Sequence, residues 1–505
     1  MANVAGALWT RGGDQPGRIA LRGPGGDWTY GMLRERIGAL AGGLRDRGIS
    51  PGDRVVLIAP SVPEFGAAYY GLQAAGAAVV AVNPMATSYE IEYALADAGC
   101  SLVIAWHDSA GAAVVAAASF GSELWELQPG LAELPAEGSI EAPAERGGDE
   151  TAAILYTSGT TGRPKGAQLT HDNLLACATI TAALVELSPD DSFCTALPLF
   201  HVFGGSVIMG TALAHGAALS LLPTFDARTT VETIVRDGPT IFAGVPTMYN
   251  AMLDEAGEGV DLSCLRLCLS GGASLPDEVL REFDRRFGAV VLEGYGLTET
   301  TGVGTFNGLH GAQKAGSVGA AAPSTEVRTV GDDGSALGVD EVGEVTVRGP
   351  TVMKGYCGRP EETAEAIRDG WLLTGDLGAF DADGDLRIVG RKKDLITHGG
   401  YNVYPREVEE VLYQHPQILE AAVVGIEDPR YGEQVAAIVV LRTGSTLGPD
   451  ALRAWVKERL SAYKAPRLFR FVDSLPKGAT GKILKPAVDR EEFVAVEGTS
   501  RGRKA

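Results

Sequence analysis

Cysteine is scarce in this chain and thinly spread. The six residues Cys100, Cys177, Cys194, Cys264, Cys268 and Cys357 include no CxxC pair and no His-rich partner segment, which argues against a zinc site and against a disulfide framework. Cys264 and Cys268 stand four apart, but Cys268 lies in the apolar run LRLCL and reads as a small core residue. Positive charge is also short. Lys and Arg number 43 against 64 Asp and Glu, a net charge of −21, which works against nonspecific attraction to nucleic acid or an anionic membrane. An anionic substrate must therefore meet local positive groups. The closing Arg501, Arg503 and Lys504 read as a solvated terminus.

Long hydrophobic runs are missing as well. The most apolar window, Val202 to Leu222, is broken by Gly204, Gly205, Gly210, His215 and Gly216, which suits a buried helix, turn and strand better than a membrane span. The opening MANVAGALWTRGG has no charged start followed by a long apolar stretch, so no signal peptide is expected. These absences predict a cytoplasmic protein with no integral membrane segment and no nucleic-acid partner.

What is present is ordinary globular material, 45% apolar and 21% charged over 505 residues, enough for a large domain and at least one smaller one. Short apolar runs ending in turn residues predict buried strands at Arg54 to Ile58, Ala77 to Val82, Leu102 to Ala105, Ala152 to Tyr156, Leu265 to Leu269 and Val290 to Leu292. Helix-compatible stretches such as Pro63 to Ala75 and Pro276 to Phe287 lie between several of them. That alternation predicts a layered α/β architecture with largely parallel sheets. Glu126 to Gly148, rich in Pro, Glu and Gly, reads as a surface loop.

From Glu344 the texture turns β-rich, at Glu344 to Arg348 and Leu386 to Val389, and a domain boundary is expected near Lys392. The remaining tail predicts a small α+β domain, with helices at Pro405 to Tyr413 and Pro449 to Leu460 and strands at Ala421 to Ile426 and Val435 to Leu441.

The segment AAILYTSGTTGRPKG places a buried strand before a loop of small hydroxylated residues, glycines and one lysine. That is the composition of a phosphate cradle: glycines let backbone N–H groups turn toward one anion, hydroxyls add donors and Lys165 adds a mobile charge. The spacing is not that of a Walker loop, since Lys165 follows Pro164 and precedes Gly166, and no GxGxxG dinucleotide fingerprint occurs here. A flexible Gly/Thr loop is the plain alternative.

This loop resembles the signature of the adenylate-forming superfamily, which comprises acyl-CoA synthetases, luciferase-like enzymes and peptide-synthetase adenylation domains. Further matches follow in the family's order: LPLFHVFGG at 197 to 205, SGGASLP at 270 to 276, GYGLTET at 294 to 300, TGD at 374 to 376, GRKKDLITHGGYNVYPREVE at 390 to 409 and PKGATGKILK at 476 to 485. The resemblance covers nearly the whole chain. It implies an adenylation domain over residues 1–391, a hinge at 392–394 and a mobile C-terminal domain over 395–505.

By the same resemblance, Thr157, Ser158, Gly159, Thr160, Thr161, Gly162 and Lys165 hold the β- and γ-phosphates of ATP. Gly271, Gly272 and Ala273 lie beside the nucleotide, Tyr295 stacks on adenine, Gly296 also belongs to the ATP site, and Asp376 with Arg391 binds ribose. Thr298 touches the α-phosphate. Glu299 is a hard oxygen ligand suited to Mg²⁺. His201, Val202, Gly205, Gly271, Gly296 and Gly302 border the acid. Lys482 is implied as the main catalytic residue, bridging carboxylate and α-phosphate. Rotation about Lys393 would withdraw Lys482 and bring Gly399 and Gly400 to the site for the pantetheine arm of coenzyme A.

The implied reaction is attack of a carboxylate on the α-phosphorus of ATP, giving acyl-AMP and pyrophosphate, followed by transfer of the acyl group to a thiol. Coenzyme A is the leading acceptor, although Thr397, His398 and Tyr401 depart from the Lys, Ser and Glu usual in fatty acyl-CoA ligases, and Lys477 and Gly478 from the usual Arg and Asn. An acyl carrier protein is the alternative. His201 stands where amino-acid-activating relatives place an aspartate, which disfavours an α-amino acid. HVFGG and the Gly302, Val303, Gly304 run suggest an apolar pocket for a medium- or long-chain fatty acid, with an aryl acid as the alternative. Arg266 is a further candidate, for a dicarboxylate, and a catalytically silent acyl-adenylate-binding relative is the non-enzyme reading.

Overall fold

The computed structural model describes residues 2–131, 139–157, 163–257, 259–273, 275–310, 313–314, 316–478, 483–490 and 493–495. Two sheets carry the first part of the chain. One, nine-stranded, has Val290–Tyr295, Leu267–Ser270, Ile241–Gly244, Ser192–Thr195, Ala218–Leu221 and Ile19–Gly23 as parallel neighbours, with antiparallel strands at both edges. The other, seven-stranded, runs parallel through Thr151–Thr157, Ala78–Val82, Arg54–Ile58, Leu102–Trp106 and Glu123–Leu127. Strands buried on both faces read as unbroken apolar runs, which is why RVVLI and AVVAV were recognisable.

One hydrophobic core joins these two sheets. Leu21, Phe193, Leu219 and Phe242 from the first pack in the same cluster as Val55, Leu57, Val79 and Leu155 from the second. The fully buried helix Pro63–Ala75 lies in this cluster. Its proline occupies the first turn and Gly76 ends it in the left-handed conformation, the usual start and stop of a helix. The window from Val202 folds as a π-helical segment Phe203–Gly210, a helix Thr211–His215 and a strand Ala218–Leu221. No described helix is long and apolar enough to cross a membrane.

A third, antiparallel sheet pairs Glu326–Val330 with Gly343–Arg348, then Trp371–Phe380, which also pairs with Leu386–Arg391. The turn Lys392–Asp394 carries the chain into the fourth sheet, which begins at Ile396–His398. There Ile418–Asp428 and Gly432–Leu441 form a long antiparallel pair, with Leu468–Phe471 parallel to the second. Helices Pro405–Tyr413 and Pro449–Lys457 bury Val408, Leu412, Leu452 and Val456 against this sheet, in a core separate from the first. The fold is thus α/β in the larger part, with a β-rich sheet and a small α+β part after it. One local expectation changes: Glu126 and Leu127 belong to the edge strand Glu123–Leu127 rather than to a loop.

Candidate active site

Strand Val290–Tyr295 is followed by Gly296, where an added Cβ would fall 2.3 Å from both the carbonyl carbon and oxygen of Gly302. Only glycine permits that approach. It folds the 3₁₀ turn Thr298–Thr300 back against the strand and sets Glu299 beside the phosphate-loop strands. Glu299 Oε1 accepts a hydrogen bond from the Tyr356 hydroxyl at 2.9 Å and a longer one from Thr157 Oγ1 at 3.4 Å. Thr157 is paired across the sheet with Lys165, whose Nζ lies 5.1 Å from the centre of the Tyr356 ring. Thr157, Lys165 and Glu299 therefore meet as expected. Ser158, Gly159, Thr160, Thr161 and Gly162 lie outside the described residues.

The donor set at Glu299 is one carboxylate beside two hydroxyls. Among the described residues no group of three or more His, Cys, Asp or Glu side chains could cage a metal. A single carboxylate fits Mg²⁺, which is commonly held by one or two carboxylates with substrate phosphates and water supplying the remaining ligands.

Asp376, 5% exposed, sits on Trp371–Phe380 directly across from Arg391. Arg391 Nε lies 3.2 Å from Oδ1, and the Tyr295 hydroxyl donates to Oδ2 at 2.8 Å. Burial, and then the nearby Asp376 charge, push the Tyr295 phenol well above its ordinary pKa, so it stays a proton donor. Thr374 Oγ1 accepts from the Asp376 amide at 3.1 Å and donates to the Val345 carbonyl at 2.7 Å. Asp376, Arg391 and Tyr295 thus form one cluster, with the tyrosine hydroxyl engaged in a contact that its expected place at adenine had not included.

His201 precedes the π-helical segment, and its carbonyl accepts from the Gly205 amide at 2.8 Å. Gly271 faces Phe203, and a Cβ there would come within 3.3 Å of the ring. Gly302, at φ +87°, would drive a Cβ to 2.5 Å from Val207 and 3.5 Å from Val202. The two glycines therefore face an apolar wall of Val202, Phe203 and Val207. Gly272 and Ala273 follow strand Leu267–Ser270 in the adjoining turn. Arg266 is committed elsewhere: its Nε and one terminal nitrogen each reach Asp191 at 2.7 Å. Burial raises the Asp191 pKa, but hydrogen bonds from Arg266 and Thr240 outweigh it and hold the group at about 2. That internal pair removes the dicarboxylate reading of Arg266.

On the C-terminal side, Lys393 lies in the turn Lys392–Asp394. Gly399 and Gly400 form a two-residue hairpin turn between His398 and Tyr401, at φ +60° and +84°, the pair of positive angles a type I′ turn requires. Lys482 lies outside the described residues. Arg406, on helix Pro405–Tyr413, donates to the Ile388 carbonyl at 2.5 Å and to Glu410 at 2.9 Å, tying the fourth sheet's helix to the third sheet. Near it is Glu293, 3% exposed, which accepts from the Leu275 amide at 3.2 Å. Burial raises its pKa to about 7 despite the Arg406 charge.

Sequence reasoning missed Tyr356, Glu293 and Arg406. Glu293 immediately precedes GYGLTET, and Arg406 falls within the GRKKD to PREVE match, so both had a positional signal. Tyr356 had none beyond the dipeptide Gly355–Tyr356.

Known proteins resemble this chain over most of its length. Residues 8–357 match the family model described as AMP-binding enzyme, and residues 407–482 match the AMP-binding enzyme C-terminal domain. A feruloyl-CoA synthase from Amycolatopsis sp is 40% identical over 478 residues, covering 94% of this chain and 96% of that protein. A long-chain-fatty-acid–CoA ligase from Bacillus subtilis (strain 168) is 36% identical, covering 94% of this chain and 92% of that one. The crystal structure of ATP-bound MatB from Rhodopseudomonas palustris superposes with a TM-score of 0.90 at 34% identity, covering 96% and 97% of the two chains.

Proposed function

The chain belongs to the AMP-binding enzyme family and is an AMP-forming acid–thiol ligase that uses ATP and coenzyme A; from that premise we propose that its acid is an aryl or arylpropenoic acid. The observation that carries this reading is the apolar lining that Val202, Phe203 and Val207 give this side of the site, packed directly on Gly271 and Gly302. The 40% identity to a feruloyl-CoA synthase supports it. A medium- or long-chain fatty acid is the second reading, favoured by the 36% identity to a long-chain-fatty-acid–CoA ligase.

The proposed site divides its work. Asp376 accepts the ribose hydroxyls, with Arg391 and Tyr295 fixing the carboxylate that receives them. Thr157 and Lys165, with the residues of 158–162, hold the β- and γ-phosphates. Glu299 holds Mg²⁺, which when bound screens the triphosphate charge that the incoming carboxylate must approach. His201 borders the acid. An ionised carboxylate needs no base for this attack, so no proton transfer is assigned to His201.

The carboxylate oxygen attacks the α-phosphorus and pyrophosphate leaves, with Thr298 at the α-phosphate and Lys482 bridging the two anions as they meet. The thiolate of coenzyme A then attacks the acyl carbonyl and AMP leaves. Residues 392–394 serve as the hinge between an adenylation unit, 1–391, and a mobile unit, 395–505. Turning about Lys393 exchanges Lys482 for the Gly399–Gly400 hairpin. An acyl carrier protein is the alternative acceptor.

The test is a panel of benzoic, arylpropenoic and C6 to C18 fatty acids assayed for acyl-CoA formation. The expected result is kcat/KM at least tenfold higher for an arylpropenoic acid than for any fatty acid, in line with what pocket shape alone can discriminate, roughly 10- to 200-fold. The reverse order would assign a fatty acid instead.

A further inference from the structure

The segment from Met353 to Cys357 touches both halves of the phosphate-binding region. The Met353 amide donates to the Glu299 carbonyl at 2.8 Å, the Lys354 amide to Gln168 at 3.0 Å and the Cys357 amide to Gly166 at 2.8 Å. Gly355 and Tyr356 form a short edge strand on Lys165–Thr170. Between these anchors Tyr356 makes two different contacts with one side chain. Its hydroxyl donates to Glu299 Oε1 at 2.9 Å, and its ring face lies 5.1 Å from Lys165 Nζ, inside the range of a cation–π contact. Its own amide is fixed by Thr363 Oγ1 at 2.9 Å. Both hydroxyls at Glu299 engage Oε1, and among the described residues none bonds to Oε2. Among the described residues the carboxylate is thus held through one oxygen.

We propose that Tyr356 is a positioning residue for metal-bound nucleotide: its hydroxyl orients Glu299 toward the cation while its ring steadies Lys165 of the phosphate loop. This rests on the assignment of Glu299 to Mg²⁺ in the proposed function. An aromatic ring carrying a hydroxyl is the one side-chain type that makes both contacts, so phenylalanine at 356 separates them. It keeps the ring and removes the donor. A hydrogen-bond partner one shell out from a metal ligand typically contributes ten- to a hundredfold in metal affinity.

The experiment measures, by calorimetric titration, the affinity of the full-length protein for MgATP and for ATP in excess EDTA, and takes their ratio. Tyr356→Phe should lower that ratio about tenfold while leaving the affinity for metal-free ATP within about twofold and the melting midpoint unchanged. Tyr356→Leu should lower both affinities, since Lys165 loses its ring. In the double variant Tyr356→Phe/Glu299→Gln the ratio should equal that of Glu299→Gln alone, because the hydroxyl acts only through the carboxylate. An unchanged ratio in Tyr356→Phe, or an equal fall in both affinities, overturns the proposal. If Glu299→Gln itself leaves the ratio unchanged, the assignment of Glu299 to the metal fails, and that outcome is distinct from a failure of Tyr356 alone.

Discussion

Two carboxylates at this site each receive a tyrosine hydroxyl, and they differ in everything else. Asp376 takes Tyr295 at 2.8 Å and is also paired with Arg391 at 3.2 Å. Glu299 takes Tyr356 at 2.9 Å and, among the described residues, forms no ion pair. The charge of Asp376 is answered within the protein, so it is suited to accept hydroxyl protons from a neutral sugar. The charge of Glu299 is not so answered among the described residues, which suits it to a cation arriving with the substrate. Identical hydrogen-bond donors therefore support opposite roles, and the neighbouring charge decides which.

The largest effect should come from a residue outside this pair. If both carboxylates only position the nucleotide, Lys482→Ala should cut acyl-adenylate formation by roughly a thousandfold, the scale of removing a donor aimed at transition-state charge. Thioester formation from supplied acyl-AMP should fall far less. Equal losses in both half-reactions, followed by rapid quench, would place Lys482 elsewhere in the cycle.

The comparison itself is broken or kept by Glu299→Gln and Asp376→Asn measured side by side. The first should lower kcat for adenylation about a hundredfold and weaken its Mg²⁺ dependence. The second should raise KM for ATP by about ten- to a hundredfold, as expected when a charge-assisted hydrogen bond is lost and Arg391 is left without its partner, with the Mg²⁺ dependence retained. If both variants change the metal dependence alike, the division of labour is wrong.

Tyr295→Phe sharpens the same point at smaller scale. Loss of a hydrogen bond to a carboxylate costs about 1.5–3 kcal/mol, and the change should appear in both denaturant stability and ATP affinity, because Asp376 keeps Arg391. A fall in kcat with unchanged ATP affinity would show that the hydroxyl serves the chemical step instead.

A third carboxylate, Glu293, lies on the same strand as Tyr295 and completes the series, buried with the Arg406 charge near it. Its pKa rises from 4.5 to about 7 on folding, so the folded chain binds more protons than the unfolded chain between those values. Stability should therefore fall as pH rises through that window, by on the order of 3 kcal/mol at most. Glu293→Gln should flatten this slope and raise the melting midpoint at pH 8 more than at pH 5. A parallel pH profile for the variant would mean that the carboxyl does not titrate there.

Much of the fold was legible because its signals are local. Arg54–Ile58, Pro63–Ala75 and Pro405–Tyr413 form where the apolar runs and helix-start prolines placed them. The two-residue strands Thr305–Phe306, Ala320–Ala321 and Gly355–Tyr356 are too short to carry a period. Glu123–Leu127 is an edge strand with only Trp125 and Leu127 buried, so its flanking polar residues read as a loop. The site was legible where motifs name residue types, as at Glu299 and Asp376, and hidden where a contact joins distant segments. Tyr356 lies 57 residues from Glu299, and Arg266 lies 75 residues from the Asp191 that claims it. Composition near either arginine or tyrosine says nothing of those partners.

The most direct test of the account is acid-dependent exchange of labelled pyrophosphate into ATP by the wild-type protein, with Mg²⁺ present and coenzyme A absent. Exchange that requires an aryl or arylpropenoic acid and stops on metal chelation is the predicted result. No exchange across aryl, fatty and dicarboxylic acids would contradict acyl-adenylate formation and leave only a nucleotide-binding protein.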